Sequence, residues 1–186
     1  MVDLGLPYIL NTTGNIGIII DYNGNEIYSP SKNFTSFEGL KLVSYIQLNS
    51  LNNTKINETV VISGILYDEN GNPIVNGNIE VIINGNLINL TTNSLGQFIT
   101  SHITNIMGSF DVFISYLGNN IFEQSVNSTY FEVSRFNSTI VLDSINDTKI
   151  NNSVIASGIL LDENGNPIVN SRINIFVNGD CICFIK

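Results

Sequence analysis

Apolar and polar residues alternate along most of this chain, and valine and isoleucine fill many of the apolar positions. No window of about a dozen residues keeps its apolar positions at helical spacing, whereas a period of two recurs throughout. The pattern therefore predicts an all-β fold. The segments that we expect to form strands are 15–22, 34–41, 44–49, 59–67, 78–84, 86–92, 97–103, 109–116 and 128–133.

The alternation also predicts which side chains are buried. Segment 59–67 is fairly apolar on both faces, so we expect a central strand. In the other strands one face should line a core. The residues expected there from the last two segments are Phe110, Val112, Ile114, Tyr116, Phe131 and Val133.

Turn residues punctuate the strands. Asn84-Gly85 between two alternating runs is typical of a tight hairpin, because both residues tolerate positive φ. The run from Asp68 to Pro73 (DENGNP) ends a strand, since proline has no N–H to give to a ladder. Asn93 to Gly96 is a further predicted turn.

The most informative feature is an internal repeat. Thr54 to Ile79 comes back as Thr148 to Ile173 with 19 of 26 positions identical, at an offset of 94 residues. Such a period defines the structural unit, and this one has the length of an antiparallel β-sandwich. It divides the chain into residues 1–41 (the C-terminal half of a repeat), 42–135 (a complete repeat) and 136–186 (an N-terminal half).

The joins between repeats are only a few residues long, too short for a flexible coil. We therefore expect a rigid linear array in which each unit contacts only its neighbours. The half-repeats at the two ends should expose apolar faces and open strand edges. If the N- and C-termini of a unit lie at its opposite ends, we expect the half-repeats of different molecules to complement one another, head to tail. If the termini of a unit lie close together, the two half-repeats could instead form a sandwich within one chain.

Charge excludes one class of partner. Lys and Arg number 7 against 16 acids, which gives a net charge of −9. Such a chain repels phosphate backbones, so we expect no nucleic-acid partner. Only 12% of residues are charged, and asparagine, serine and threonine must cover much of the surface. That composition suits an extracellular surface, and biased codon usage would produce it equally well.

The sequence contains no residue pattern that is typical of a catalytic or cofactor-binding site. His102 is the only histidine, and the only cysteines, Cys181 and Cys183, stand in one Cys-Ile-Cys run that we interpret as ordinary thiols. The acidic residues Asp21, Glu80, Asp111, Glu123 and Glu132 fall on separate strand ends and do not form a hydrolase pair. The sequence therefore predicts a protein that is not an enzyme, with no catalytic residue and no cofactor.

A calcium loop is a weak alternative for the Asp68 turn. Asp68, Asn70 and Asn72 offer oxygen atoms at alternate positions, as a calcium loop does. A full loop also needs a glycine at its sixth position and a glutamate at its twelfth, where Pro73 and Ile79 stand. We therefore interpret the run as a plain turn and keep calcium as the alternative.

Nine N-x-S/T triplets make asparagine glycosylation a second candidate chemistry. Three pairs of them are related by the repeat, and the triplet survives even where its residues change. The candidate acceptors are the paired Asn33 and Asn127, Asn52 and Asn146, Asn57 and Asn151. The unpaired triplets begin at Asn11, Asn89 and Asn137.

The repeat carries four motifs: G-I-L-x-D-x-x-G-x-P-I at 64–74, I-x-V-x-I-x-G at 79–85, G-x-F at 96–98, and G-x-F-x-V-x-x-x-Y-x-G-N-x-x-F-x-x-S at 108–125. Together they resemble the bacterial Ig-like domains arrayed in surface adhesins, and the Asn- and Ile-rich composition is similar to the adhesin-like proteins of methanogenic archaea. The resemblance implies an Ig-like sandwich in a non-catalytic adhesive or stalk-forming array at the cell surface.

The resemblance leaves an alternative and a question of location. The prealbumin-like sandwich of carboxypeptidase regulatory domains shares the D-x-x-G-x-P and G-x-F turns and implies a glycan- or protein-binding module; exposed aromatic residues such as Tyr67, Phe113 and Tyr130 would favour that role if they formed one patch. Met1 to Gly5 carries no secretion signal, so an extracellular location predicts that this chain is a piece of a longer one or a remnant. The expected partners are neighbouring repeats and a surface glycan or protein.

Overall fold

The computed structural model describes residues 5–185, and side chains as far as Cys181. Every regular element in that part of the chain is a strand, so the fold is all-β as predicted. The strands are β1 (Gly14–Tyr22), β2 (Ser31–Gly39), β3 (Ser44–Leu48), β4 (Thr54–Lys55), β5 (Thr59–Asp68), β6 (Asn78–Ile83), β7 (Asn86–Thr91), β8 (Gln97–Ile103), β9 (Gly108–Tyr116), β10 (Ser125–Ser134), β11 (Ser138–Leu142), β12 (Gly158–Asp162), β13 (Arg172–Val177) and β14 (Asp180–Ile185).

Strands β3 to β10 form two sheets that pack on one core. One sheet has the order β3-β5-β8 and the other β4-β10-β9-β6-β7. All pairings in them are antiparallel except that of β4 with β10. The first two strands of the unit are divided between the sheets, with β3 at the edge of one and β4 at the edge of the other. This is the strand order of an immunoglobulin-type sandwich in which a further strand, β7, forms a hairpin with β6 in the second sheet.

The core is built from the inward faces of both sheets, as alternation predicts. Val60, Ile62 and Leu66 of β5 are buried, while Val61 on the other face is half exposed. Strand β5 lies between β3 and β8 and is central in its sheet, as predicted, but only one of its two apolar faces is covered. The other buried apolar residues are Ile46, Ile74, Ile79, Val81, Ile83, Phe98, Phe110, Val112, Ile114, Tyr116, Phe131 and Val133.

Gly64 shows why one position on the buried face of β5 carries no side chain. A Cβ atom there would collide with the Gln47 carbonyl oxygen and would lie 2.7 Å from the ring of Phe98. The ring of Phe98 therefore fills the space that the glycine leaves. Gly158, its counterpart 94 residues on, meets the carbonyl oxygen of Val141 in the same way.

The period seen in the sequence recurs in the backbone. Strands β3, β6, β7 and β9 have counterparts β11, β13, β14 and β1 whose bounds differ by 94 residues at both ends. Asparagines with positive φ recur too: Asn84 (45°) and Asn178 (51°) each open a tight hairpin turn with the glycine that follows. Identical turn residues thus produce identical local structure in the complete repeat and in the partial ones.

Some predicted bounds were wrong. The predicted strands 34–41 and 128–133 begin earlier, at Ser31 and Ser125, where polar residues continue the ladders with β1 and β9. Strand β4 was missed, because a two-residue pairing has no alternation to detect. The first four residues, which carried the expectation about a secretion signal, and the side chain of Cys183 lie outside the described residues.

Between residues 5 and 185, no helix has the length and apolar character needed to cross a membrane.

Candidate functional site

The DENGNP turn is held by the carboxylate of its own first residue. One oxygen of Asp68 accepts hydrogen bonds from the backbone N–H groups of Asn70 (2.9 Å) and Asn72 (2.8 Å). The other oxygen accepts a bond from the Asn72 side-chain amide (3.1 Å). Gly71 has a φ of 81°, which lets the chain reverse here.

The second copy of the turn repeats this geometry. Asp162 accepts from the backbone of Asn164 (2.9 Å) and Asn166 (2.8 Å), and from the Asn166 side chain (3.1 Å). Backbone and side-chain hydrogen bonds from Asn166 lower the pKa of Asp162. Burial raises the pKa of Asp68, but the hydrogen bonds from Asn72 and Asn70 outweigh it and keep that pKa below its ordinary value.

These contacts bear on the calcium alternative. Both carboxylate oxygens of Asp68 are already bonded to N–H groups of the turn, and the side chain is buried. Across the described residues, no group of three or more His, Cys, Asp or Glu side chains could hold a metal ion. The turn needs no ion to explain its shape, and calcium at Asp68, Asn70 and Asn72 stays a prediction to be tested.

A glutamate in the same turn contacts the start of its own repeat. Glu69 accepts a hydrogen bond from the Val43 N–H (3.2 Å), and Glu163 accepts one from the Asn137 N–H (3.0 Å). The two bonds correspond at the 94-residue offset. Sequence reasoning missed this role, although the identity of the two glutamates in the repeat was a signal that could have indicated it.

The second of these glutamates also meets the preceding repeat. The Nζ atom of Lys55 lies 3.9 Å from Oε2 of Glu163 and donates a hydrogen bond to the Arg135 carbonyl oxygen (3.1 Å). Both charged side chains are about 30% exposed, at 28% and 30%. The join at residues 135–137 is therefore held by polar contacts from both sides.

The earlier join is also fixed by hydrogen bonds. Leu42 donates to the carbonyl oxygen of Ile121 (2.9 Å) and accepts from the N–H of Glu123 (2.8 Å). Thr13 donates its hydroxyl to the Asn120 carbonyl oxygen (3.0 Å). An open hollow of about 810 Å³ lies here, and its lining has no titratable side chain: Leu10, Asn11, Thr12, Thr13, Leu40, Leu42, Asn120 and Ile121.

All six candidate glycosylation asparagines are exposed, but their surroundings differ. The side-chain amide of Asn127 donates to the Ile46 carbonyl oxygen (2.8 Å), so a glycan would disturb the β3–β10 contact. Asn57 and Asn151 stand in turns with φ of 64° and 72°. Asn33 lies in β2, and Asn52 and Asn146 lie outside the strands. Asn52 and Asn146 are therefore the least constrained acceptors.

The aromatic residues on the surface are divided between the two sheets. Tyr67 is half-buried and stacks on Tyr45 across β3 and β5, with ring centroids 5.6 Å apart. Phe113 and Tyr130 are exposed on the outer face of the other sheet. The structure therefore does not bring Tyr67, Phe113 and Tyr130 into one patch.

A row of three apolar side chains crosses the outer face of the β4-β10-β9-β6-β7 sheet. Ile82 lies opposite Phe113 in one pairing and opposite Leu87 in the other, so the three side chains are neighbours across β9, β6 and β7. Phe113 and Leu87 are 55% and 54% exposed.

The remaining candidates for chemistry are a histidine and a cysteine on different strands. His102 lies in β8 beside the ring of Phe110, 6.0 Å between centroids. Cys181 is exposed on β14. Among the described residues, neither belongs to a group of three or more His, Cys, Asp or Glu side chains that could hold a metal ion.

The chain resembles solved structures, two of which are described here. No family model matches the chain, and no curated protein matches it. A CARDB domain from Pyrococcus furiosus is similar over 50% of this chain and 93% of its own, at 13% identity and a TM-score of 0.32. Domains 4–9 of the surface layer protein SbsC are similar over 92% of this chain and 30% of their own, at 14% identity and a TM-score of 0.32. Likenesses this distant carry no argument about function.

Proposed function

We propose that this chain is a non-catalytic structural module of a cell-surface protein, a segment of a tandem array whose role is to extend and stiffen a stalk. Residues 42–135 act as one unit of the array, and residues 1–41 and 136–186 belong to the units on either side. An adhesive role of the kind implied by the resemblance to surface adhesins is part of the same proposal.

The observation that carries it is the direction of the first and last strands of the central unit. Ser44 donates its hydroxyl to Ser125, at 2.8 Å, where β10 begins. Thr54 lies opposite Val133, where β10 ends, in a parallel pairing. The chain therefore enters beside one end of β10 and leaves from the other, about 30 Å away at roughly 3.3 Å per residue.

Opposite ends and short joins favour linear extension. Each added repeat must continue away from the previous one, because its first strand starts where the previous last strand stops. The contacts of Glu163 with Asn137 and Lys55 restrict bending at the join. The length of a rigid linear array grows in proportion to the number of units, which suits a stalk.

The stalk role is tested by lengthening the chain. One, two or three extra copies of residues 42–135 are inserted after residue 135, and the maximum dimension is measured by small-angle X-ray scattering. The maximum dimension of a rigid linear array should grow by about 30 Å or more with each copy. Growth with the square root of the copy number would indicate flexible joins and would contradict the proposal.

The surface location is tested on intact cells of the native source. Brief treatment with a protease that cannot enter cells should release or destroy this segment, as followed by mass spectrometry of its peptides. A cytoplasmic enzyme serves as the control and should remain whole. Full protection of the segment, with loss only after lysis, would contradict a surface location.

Glycosylation follows from the same location, and we propose Asn52 and Asn146 as the preferred acceptors because their side chains are exposed outside the strands. Asn127 should carry no glycan, since its amide is bonded to the Ile46 carbonyl oxygen. The measurement is an intact mass followed by peptide mapping of the protein from its native source. A mass equal to the bare polypeptide would refute glycosylation and leave the stalk role standing.

The row of Ile82, Phe113 and Leu87 favours a second candidate function, a binding face for a surface glycan or protein. Phe113→Ser should then weaken binding of the fluorescently labelled chain to intact cells. Ile99→Ser is the matched control, because Ile99 is 67% exposed on the opposite sheet. Equal binding by both variants would argue against this face.

A further inference from the structure

Six asparagines of this chain are followed directly by glycine: Asn23, Asn70, Asn76, Asn84, Asn164 and Asn178. In such a pair the glycine nitrogen can attack the Cγ atom of the asparagine, because no side chain on the glycine shields it. The reaction requires that the glycine N–H loses its proton and that the two atoms approach closely. The local structure of each pair therefore decides how fast it reacts.

In three of the pairs the glycine N–H already has an acceptor. Gly71 donates to the Asp68 carbonyl oxygen (2.9 Å), and the second copy of this turn repeats the bond (3.1 Å). Gly77 donates to the hydroxyl of Thr92 (2.8 Å), which is buried. Each of these nitrogens must first lose a hydrogen bond, so only a small open population can react.

Two further pairs form tight hairpin turns. Asn84 and Asn178 have φ values of 45° and 51°, and each begins a two-residue turn between paired strand ends. The Asn84 side chain is also held, because its Oδ1 atom accepts the Asp111 N–H (3.3 Å). Rotating either backbone until the glycine nitrogen reaches Cγ would separate the ends of the two strands.

The sixth pair, Asn23 with Gly24, has none of these restraints. Asn23 is exposed in the loop between β1 and β2, and its φ is not positive. Within residues 5–185, no hydrogen bond reaches its side-chain amide or the N–H of Gly24. Glycine itself is required here, because φ is 80° and a Cβ atom would lie 2.8 Å from the Tyr28 carbonyl oxygen. A turn that demands glycine thus leaves the nitrogen of that glycine able to react.

The same turn forms in the complete repeat, so its shape does not depend on the surroundings of Asn23. The Oδ1 atom of Asn25 accepts the N–H groups two and three residues further on, at 2.9 and 2.8 Å, and that of Asn119 does the same at 2.8 and 2.9 Å. The glycine before each of them has a positive φ, of 80° and 77°. Leu117, which stands in the place of Asn23, is 65% exposed. A complete repeat therefore leaves this position open to water.

We propose that Asn23 is a site of spontaneous modification, at which the side-chain amide is converted to a carboxylate through attack by the Gly24 nitrogen. The Gly24 N–H gives its proton to hydroxide, and the nitrogen forms a bond to Cγ of Asn23. The side-chain nitrogen takes a proton from water and leaves as ammonia. Water then opens the resulting cyclic imide at either carbonyl, which yields aspartate or isoaspartate.

The product changes a turn at the end of the repeat. Either product adds one negative charge, and isoaspartate also lengthens the backbone by one methylene. In the complete repeat the corresponding turn lies at the join with residues 1–41, where Leu42 donates to the Ile121 carbonyl oxygen (2.9 Å) and Thr13 donates to that of Asn120 (3.0 Å). Position 23 therefore corresponds to one that neighbours a join, and the stiffness of the proposed array depends on its joins.

The test follows the folded full chain over time at mildly alkaline pH. Peptide mapping by mass spectrometry gives the fraction of amide lost at each pair, and circular dichroism checks that the chain stays folded. Asn23→Gln is one matched variant, since its longer side chain would have to close a larger and less favoured ring. Leu117→Asn is the other, because it places an asparagine before Gly118 and so separates the effect of the turn from that of the partial repeat.

In the folded wild type, Asn23 should lose its amide about tenfold faster than Asn70, Asn76 and Asn84, which must first break a hydrogen bond or open a hairpin. The rate at Asn23 should rise with pH, because the glycine N–H must lose a proton. Unfolding in urea should bring the four sites to similar rates. Asn23→Gln should remove the fast reaction, and Leu117→Asn should add a second fast site.

Equal rates at the four sites in the folded chain would overturn the proposal. A Leu117→Asn protein that keeps its amide at position 117 as long as Asn84 does would also overturn it.

Discussion

Lys55 and Glu163 face each other across the join between residues 42–135 and 136–186, with Nζ 3.9 Å from Oε2. The same Oε2 atom accepts the Asn137 N–H at 3.0 Å. A partly exposed ion pair of this kind contributes little to stability, typically about 0–1 kcal/mol. Its effect here is to tie the start of a new repeat, at Asn137, to strand β4 of the repeat before it.

Glu163→Ala should free the Asn137 amide and loosen this join. We expect hydrogen exchange of that amide to accelerate by about tenfold, because it loses its acceptor in an exposed position. Global stability should change by less than about 1 kcal/mol. Glu69→Ala is the matched control and should accelerate exchange at Val43 while leaving Asn137 unchanged. Equal exchange at Asn137 in the wild type and Glu163→Ala would contradict the contact.

Asp68→Ala should destabilise the complete repeat. The change removes an acceptor for two backbone N–H groups and one side-chain amide, and the cost for hydrogen bonds to a charged group is about 2 kcal/mol. The free energy of unfolding, measured by urea denaturation, should fall by that amount with an unchanged slope. Asp162→Ala makes the same change in the partial repeat and should leave the unfolding of the central unit unaffected.

The pH dependence of stability has a defined sign at Asp68. Its pKa is lower in the folded chain than its ordinary value of 3.8. The stabilisation is therefore complete at pH values above the ordinary pKa and is lost as the pH falls through the folded one. The wild type should lose stability below about pH 4 more steeply than Asp68→Ala. Parallel curves for the two proteins would show that the carboxylate contributes nothing.

Calcium should leave the melting temperature of the chain unchanged. The oxygens of Asp68 are occupied by the turn's own N–H groups, so an ion would have to displace hydrogen bonds that already form. Differential scanning calorimetry with calcium chloride or with a chelator checks this, with magnesium chloride at equal ionic strength as the control. A rise in melting temperature that calcium causes and magnesium does not would restore the calcium loop at Asp68, Asn70 and Asn72.

Tyr116→Phe should stabilise the complete repeat. The Tyr116 hydroxyl is buried and, alone among the buried polar side-chain atoms described, has no hydrogen-bond partner. Removing an unsatisfied buried polar group of this kind gains about 1 kcal/mol. Burial also raises the pKa of Tyr116 above its ordinary value of 10.0, so the wild type should lose stability as the pH rises past 10. Tyr116→Phe should lack that part of the alkaline loss.

Tyr130→Phe is the matched control for this change, since Tyr130 is 61% exposed on the neighbouring strand. It should leave the urea midpoint at neutral pH unchanged. A Tyr116→Phe protein less stable than the wild type would mean that the hydroxyl has a partner, such as an internal water.

The interior strands and the turns were predictable because their signals are local. Ile79, Val81 and Ile83 stand at alternate positions of β6 and so share one face, and all three are buried as an apolar core face requires. Asn84-Gly85 specified its hairpin, because positive φ values of 45° and 84° need residues of that kind. The 94-residue offset predicted where the strands recur, since the same side chains make the same local choices.

The contacts that matter for the proposed role were not predictable in this way. Glu69 and Glu163 look like ordinary acidic turn residues, and their bonds to Val43 and Asn137 join positions 26 residues apart. The parallel pairing of Thr54 with Val133 joins residues with no local signal at all. Sequence patterns report what a residue does to its neighbours in the chain, whereas these contacts depend on how distant strands are stacked.

The all-β chain, the 94-residue period, the apolar faces of the core strands and the residues of the turns could all be read from the sequence. Each of these follows from short-range sterics and from the burial of alternate side chains. Three features follow from the folded structure instead: the two ends of the complete repeat lie at opposite ends of β10, each strand joins a particular sheet, and the Asp68 carboxylate bonds to its own turn. Those outcomes depend on which distant surfaces pack together, a free-energy balance over the whole unit that no single stretch of residues contains.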